Sequence, residues 1–303
     1  MRIAIHGLGR MGMQIAHKLS DDGHQVIAHN RTSEKIDEAE RFGAIRAETK
    51  QQAIDAFKDE PVVVWLMLPA EVTDTQADEW FKVMPKNSIL IDGGNSDFRL
   101  TKKLSEKVEG NGFRLVDVGV SGGVWGYRYG FSMMAGANDK AAFDLIEGAL
   151  QSLAKPDGAY HYFGSSGSGH FVKMVHNAIE YGMMESLAEG YRILKEGPYK
   201  HLDLAAAGDV WQHRSVITSW LNELCRDALK QNPELEGIDG YVAENGEARW
   251  TLETADSLNI AMPSIRAALD VRLASQKGDV SFATQLLAAM RNRFGGHAFN
   301  KDD

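Results

Sequence analysis

From Arg2 to about Phe163, short runs of apolar and β-branched residues alternate with helix-length amphipathic stretches, a pattern that predicts strand and helix in turn. The spacing predicts strands over residues 3–6, 25–29, 62–67, 88–91, 115–120, 131–135 and 160–163, with helices between them. The run Val62-Val63-Val64-Trp65-Leu66-Met67 is apolar at every position, as expected of a parallel strand covered by helices on both faces, which places it mid-sheet. After Phe163 the period changes. Gly164-Ser165-Ser166-Gly167-Ser168-Gly169 is followed by helical periodicity almost to the C-terminus, with no further convincing strand,. Composition leaves that hexapeptide open between a flexible linker and a functional loop. The predicted fold class is α/β: a Rossmann-like doubly wound sheet over residues 1–164, then an all-α unit over 165–303,. The stretch Phe294-Gly295-Gly296-His297-Ala298-Phe299 breaks the helical period and is expected to leave the globule or lie over a neighbour's surface.

Composition narrows the class. A length of 303 residues gives room for two packed cores, and 44% apolar with 25% charged residues is the balance of an ordinary globular chain,. The net charge of −9 works against non-specific adhesion to nucleic acid or anionic membrane, so any phosphate partner should be small and locally held,. A lone cysteine, Cys225, rules out an internal disulfide and multi-cysteine metal sites, and the scattered histidines form no metal-binding pattern, so no metal is expected,. Met1 and Arg2 lead straight into Ile-Ala-Ile, and the longest apolar run is too short to span a bilayer. A cytoplasmic protein without a membrane role is the expectation.

Gly7-Leu8-Gly9-Arg10-Met11-Gly12 matches GxGxxG and lies between the first predicted strand and helix. In that context the glycines allow a tight turn, backbone approach to a pyrophosphate and close packing of helix on strand, with the helix N-terminus toward the phosphates. A structural glycine turn is the plainer reading. The second strand ends at His29-Asn30-Arg31-Thr32, where an NAD site usually carries a carboxylate for the ribose 2′-hydroxyl. Arg31 and Thr32 instead suit a 2′-phosphate, so NADP is predicted over NAD, with NAD still open,. Leu68, Pro69 and Ala70, at the end of the apolar run, join the expected cofactor contacts. Asp92-Gly93-Gly94-Asn95-Ser96 and Gly119-Val120-Ser121-Gly122-Gly123 each follow a strand, at the end where ligands of open α/β sheets collect,. Turn formation alone would explain either loop.

On a helix, Lys173, His176, Asn177, Glu180 and Tyr181 project within an arc of roughly 140°, with Val175, Ala178, Ile179 and Gly182 opposite,. A solvated surface stripe would carry several long charged residues. This one has a single lysine, a single glutamate, an imidazole, an amide and a phenol, which reads as a site. In the last sixty residues Arg249, Arg272, Arg291, Arg293 and His297 supply cations to an acidic chain, although most surface arginines are merely solvated,.

These motifs, with Arg291-Asn292-Arg293-Phe294-Gly295-Gly296-His297, resemble the 6-phosphogluconate dehydrogenases of the β-hydroxyacid dehydrogenase superfamily, in a short form without the duplicated helical half of longer members. The resemblance implies oxidative decarboxylation of 6-phosphogluconate to ribulose 5-phosphate and carbon dioxide, in the pentose phosphate pathway and gluconate utilization. It makes Lys173 the general base and acid, with burial and nearby cations lowering its pKa, and Glu180 the acid that protonates the product carbon. It makes Asn95, Ser121, Gly122, Gly123, His176, Asn177, Tyr181 and Arg272 substrate contacts, with Asn177 also in the catalytic set and Asn95 shared with the cofactor. Arg291 and His297 would reach the substrate from a partner subunit, which implies a homodimer or an assembly of dimers. Asn245 stands where longer members carry a phosphate-binding lysine, Val124 replaces an acid, and Phe131 replaces a proline. A 3-hydroxyisobutyrate or semialdehyde-reductase type of enzyme is the nearest alternative. A non-catalytic NADP-binding sensor is the alternative from another class.

Overall fold

The alternation in the first half builds a single sheet. In chain order the elements are β1 (Arg2–His6), α1 (Arg10–Asp21), β2 (Gln25–His29), α2 (Ser33–Glu40), β3 (Ile45–Ala47), α3 (Lys50–Asp55), β4 (Val63–Leu66) and α4 (Ala70–Phe81). There follow β5 (Ile89–Asp92), α5 (Phe98–Gly110), β6 (Arg114–Ser121), α6 (Gly126–Tyr129), β7 (Ser132–Gly136), α7 (Lys140–Ala154) and β8 (Ala159–Tyr162). The computed structural model describes residues 1–58, 61–296 and 299. The strands lie in the order β3-β2-β1-β4-β5-β6-β7-β8, parallel except where β6 meets β7. The predicted α/β unit with a mostly parallel sheet is therefore what forms.

Alternation along the strands explains the layers. Ile3, Ile5, Val63 and Trp65 join one buried cluster, while Ala4, Val64 and Leu66 join another. Successive residues of a strand point to opposite faces, so two separate clusters mean that helices cover both. β4 is buried at every position and stands between β1 and β5, as its unbroken apolar run predicts. The reversal of strand order between β1 and β4 is a topological switch point, the place where open sheets of this kind take ligands.

Two sequence expectations change. β3 was not expected: it is three residues long at the sheet edge, and its central Arg46 points to Asp37, Glu40 and Glu48 rather than into a core. The glycine-serine hexapeptide is no linker. Ala137 N–H donates to the Gly164 carbonyl, Ser166 and Asn138 exchange two hydrogen bonds of 3.0 Å, and Gly167 N–H donates to Asp117 at 2.7 Å. Its last two residues already belong to the next helix.

That helix, α8 (Ser168–Glu196), opens the second half, followed by α9 (Leu204–Gln212), α10 (Trp220–Gln231), α11 (Glu247–Ser257), α12 (Pro263–Ser275) and α13 (Phe282–Gly295). The chain divides into compact units at 1–173 and 174–303, and α8 runs unbroken through the division. In the second unit one core gathers Met184, Tyr191, Cys225, Leu286 and Met290, and another packs Ala178 and Tyr181 with Ala248, Leu252 and Ala268. α13 continues through Phe294, which lies against Trp220 with ring centroids 6.3 Å apart, so that part of the tail stays with its own chain. His297 and Ala298 lie outside the described residues.

Candidate active site

The glycine turn after β1 has the close contacts that its sequence predicts. Gly7 has a φ of +103°, which a side chain rarely adopts, and a Cβ on Gly12 would collide with the Gly7 carbonyl oxygen. Around a Cβ built on Gly9 there is nothing within 4 Å, and Gly9 caps α1 without a side-chain hydrogen bond. An open approach to the start of a helix is what a pyrophosphate requires. Leu8 is buried and its N–H donates to Asn30 Oδ1 at 3.0 Å, while Asn30 Nδ2 donates to the Thr32 carbonyl at 3.2 Å. Asn30 thus ties the glycine turn to the end of β2. Arg31 and Thr32 are exposed there, as is Arg10 at the start of α1, and Met11 is half-buried.

The other predicted loops lie at the same strand ends. Leu68, Pro69 and Ala70 form the turn from β4 into α4, with Pro69 capping the helix. Asn95 is exposed beyond β5, and Ser121, Gly122 and Gly123 are half-buried at the end of β6.

Lys173 belongs to this first unit and is only 8% exposed. Its position is set by close backbone approach: a Cβ on Gly119 would overlap the Cβ of Lys173. Asp117, in register with Asp92 across β5 and β6, accepts from Gly167 N–H at 2.7 Å and His170 N–H at 2.9 Å, pinning the first turn of α8. Burial pushes the Asp117 carboxyl above its usual range, against the opposing pull of His170 and those two donors. His170 is itself buried, its Nδ1 2.7 Å from Thr101 Oγ1. Neither Asp117 nor His170 stands out in the sequence, because an acid inside a strand and a histidine beside glycines carry no motif.

In the second unit the stripe is at least half-buried, and Ala178, expected opposite it, is buried as well and packs with Tyr181. Tyr181 is buried, His176, Asn177 and Glu180 are half-buried, and Ile179, expected on the opposite face, is 50% exposed. His176 Nδ1 lies 2.9 Å from Asn177 Oδ1 and 4.0 Å from Glu180 Oε2. Asn177 Nδ2 donates to Glu247 Oε1 at 2.6 Å, bringing in a buried acid that sequence reading missed. The Tyr181 hydroxyl accepts from Asn245 N–H at 3.2 Å, and the Arg272 guanidinium lies over the Tyr181 ring, 3.3 Å from its centroid. Stacking of this kind suits a guanidinium better than an ammonium.

Arg272 is 1% exposed and Arg291 5%. Among the described residues neither forms an ion pair, and Arg291 Nη2 reaches Asn245 Oδ1 at 3.5 Å. Burial, reinforced by the Arg272 charge, pushes Arg291 down to about 10. Tyr181, Glu180 and Glu247 act on both guanidinium groups in the opposite direction, so the two buried cations already face acidic groups of their own unit. Arg291 therefore stands beside Arg272 of its own chain, whereas the resemblance implies delivery from a partner. Arg249 is engaged with Glu244, and Arg293 donates to the Asp227 carbonyl and to Gln231. His297 lies outside the described residues.

A glycine turn at a switch point, with a buried lysine on a later helix of the same unit, defines the class of NAD(P)-binding dehydrogenases. A model of the NAD binding domain of 6-phosphogluconate dehydrogenase matches residues 2–165, and one of the 6-phosphogluconate dehydrogenase C-terminal domain matches residues 169–283. The chain belongs to the 6-phosphogluconate dehydrogenase family, in its short form. It is 35% identical to the Bacillus subtilis protein YqeC, a candidate 6-phosphogluconate dehydrogenase, over 99% of this chain and all of that one. It is 34% identical to the NAD(+)-dependent, decarboxylating 6-phosphogluconate dehydrogenase of Haloferax volcanii, over the whole of both. The solved 6-phosphogluconate dehydrogenase of Plasmodium falciparum, studied with its cofactor NADP+ and its substrate 6-phosphogluconate, superposes with a TM-score of 0.81 at 27% identity. That match covers all of this chain and 67% of the Plasmodium one.

Proposed function

We propose that the protein oxidatively decarboxylates 6-phosphogluconate to ribulose 5-phosphate and carbon dioxide, within the pentose phosphate pathway and gluconate utilization. The observation that carries this reading is the helix α8, which presents buried Lys173 and, two turns on, half-buried Glu180 on one face. Two turns separate their Cα atoms by about 10.5 Å along the axis, enough to flank a sugar acid.

Gly7, Leu8, Gly9, Arg10, Met11 and Gly12 would hold the dinucleotide pyrophosphate, with Asn30, Arg31 and Thr32 at the ribose end and Leu68, Pro69, Ala70 and Asn95 along its length. When bound, that cofactor supplies a hydride acceptor. Arg31 supports NADP as the preferred form, with its guanidinium exposed beside Thr32 and no carboxylate at the end of β2,. The Haloferax relative's NAD(+) dependence keeps NAD as the competing form.

Lys173 accepts the proton of the C3 hydroxyl as hydride leaves C3, giving a 3-keto acid. The resulting ammonium then donates to the C3 carbonyl oxygen, so that the electron pair of the breaking C1–C2 bond has somewhere to go as carbon dioxide departs. Glu180 delivers a proton to C2 of the enediol while the now neutral Lys173 takes back the C3 hydroxyl proton, which leaves the ketone of the product. Ser121, Gly122, Gly123, Asn95, His176 and Asn177 hold the hydroxyls and carboxylate, and Arg272, Tyr181 and Arg291 take the phosphate. The burial of both arginines, with Arg272 stacked on Tyr181, supports that last assignment. His297, from a partner subunit, would complete the phosphate end in a homodimer. Exposed Ile179, Met183 and Ile193 on α8 support an apolar contact between two copies,.

The test is a paired assay with 6-phosphogluconate and NADP or NAD: reduced-cofactor absorbance together with captured carbon dioxide. Both should rise together, faster with NADP. Lys173→Met should lower kcat by roughly 10³-fold or more, the scale of a lost general acid-base group, while 6-phosphogluconate still binds. Reduction without gas, or near-normal kcat in Lys173→Met, would overturn the assignment.

A further inference from the structure

Glu185 lies on α8, one turn after Tyr181 and next to Met184, and is 7% exposed. Its oxygen Oε2 is buried with no hydrogen-bond partner among the described residues. The same stretch of helix meets Arg272 from α12: the guanidinium lies over the Tyr181 ring, and its Nη2 is 3.5 Å from Met184 Sδ. Its Nη1 is 3.5 Å from the Ala243 carbonyl. Both contacts are at the outer limit of a hydrogen bond, so this buried cation, a group with five N–H donors, is held by stacking and by charges at longer range. Tyr181, Glu180 and Glu185 on α8 and Glu247 on α11 all favour the charged guanidinium, against its burial. Arg291, on α13, is pushed down by burial and then by the Arg272 charge. Glu185 in turn feels Glu189 from its own helix and Arg272 from α12. Burial, then Glu189, push it up to about 7 with Arg272 opposing, so its carboxyl changes charge in the neutral range.

We propose that Glu185 is a positioning residue that sets the anion affinity of Arg272 through its own proton: ionised, it draws on the guanidinium charge as a built-in rival of the ligand phosphate, and protonated, it leaves that charge to the ligand. The inference rests on the reading that Arg272 takes the phosphate of the sugar acid. An acid fixed near the cation costs affinity for a dianion whenever it is charged, because like charges gathered around one guanidinium repel. By linkage, a bound dianion favours the protonated acid by the same factor, so the site takes up a proton as it fills. The grip on a phosphate therefore tightens toward acid and loosens toward base. The second ionisation of a phosphate ester, at about 6, acts in the reverse sense, so the two effects are told apart by sign.

The experiment is isothermal titration calorimetry of the full-length protein without cofactor, between pH 6.5 and pH 8.5, with 6-phosphogluconate and separately with inorganic sulfate, a dianion whose charge is fixed over that range. Repeating each titration in two buffers of different ionisation enthalpy counts the protons taken up. Wild type should bind both dianions about fivefold or more weakly at pH 8.5 than at pH 6.5, the lower end of ordinary coupling between two sites. Near pH 7.5 it should take up a fraction of a proton with each. E185Q, which has the shape of the protonated acid, should lose most of that pH dependence and uptake, and should bind more tightly than wild type at pH 8.5. E185M supplies a second neutral side chain should the amide misfold. A merely structural role for Glu185 would change affinity without changing the proton count. Wild-type binding without proton uptake overturns the inference whatever the variants do, and so does an uptake that persists unchanged in either neutral variant. Failure of both dianions to bind overturns it together with the phosphate assignment. Proton-linked sulfate binding in a protein that releases no carbon dioxide from 6-phosphogluconate would sink the proposed function and leave this inference standing.

Discussion

Single residues decide most of the chemistry here, and one of them should be visible in stability rather than turnover. Glu185 is buried on α8 with one carboxylate oxygen that has no hydrogen-bond partner among the described residues. Burial, then the neighbouring Glu189, pushes its pKa up to about 7, opposed by Arg272. The folded protein therefore holds this proton more tightly than the unfolded chain does. The resulting stability is full below the unfolded value near 4.5 and is lost as pH rises through about 7,. Glu185→Gln keeps the neutral shape at every pH. It should match wild type in thermal unfolding at pH 5 and exceed it at pH 8 by an amount on the order of 2 kcal/mol. An equal difference at both pH values would contradict the cause given. Residue-level legibility was uneven in the same way. Lys173, Asn177 and Glu180 stand in a stripe of unusual composition, whereas Glu185 and Glu247 look like ordinary surface glutamates until the packing of α8 and α11 is known.

At the scale of elements, the helix that carries the stripe is held at its start by backbone as much as by side chains. Asp117 grips the N–H groups of Gly167 and His170, and β6 presents Gly119 where any side chain would strike Lys173. Gly119→Ala should cost roughly 1–3 kcal/mol of stability, as overpacking does, and should lower kcat more than it raises KM for the cofactor. A melting curve together with steady-state kinetics checks both; an alanine accepted without loss of either would mean that α8 can shift freely. Regular elements were legible because their periods are long or their runs wholly apolar, as in β4. β3 was not, being three residues at an edge with Arg46 among acids. The glycine-serine entry to α8 was misleading for a definite reason. Composition reports the freedom of a chain and not the partners that remove it, and here Asp117 and Asn138 come from remote positions.

For the whole molecule the pattern is two units of different kind, one layered and one helical, served by a common helix. The division of chemistry follows: the glycine turn and Lys173 fall in the first, while Glu180, Tyr181, Arg272 and Arg291 fall in the second. Exposed Ile179, Met183 and Ile193 along α8 are costly to leave in water,. The mass in solution should accordingly be a multiple of the 33.4 kDa chain, with two copies as the basic unit,. Size-exclusion chromatography with light scattering decides this, and an active species of single-chain mass would refute it.

The unbroken course of α8 also acts as a graduated rod. On the proposed reading, the proton acceptor and the proton donor are notches on one helix, seven residues apart. Loops can drift, lengthen or be exchanged during divergence without altering that interval, because 1.5 Å of rise per residue is a property of the backbone itself. A change of chemistry in a descendant of this chain would then come from re-lettering those two notches, with their interval along the helix unchanged.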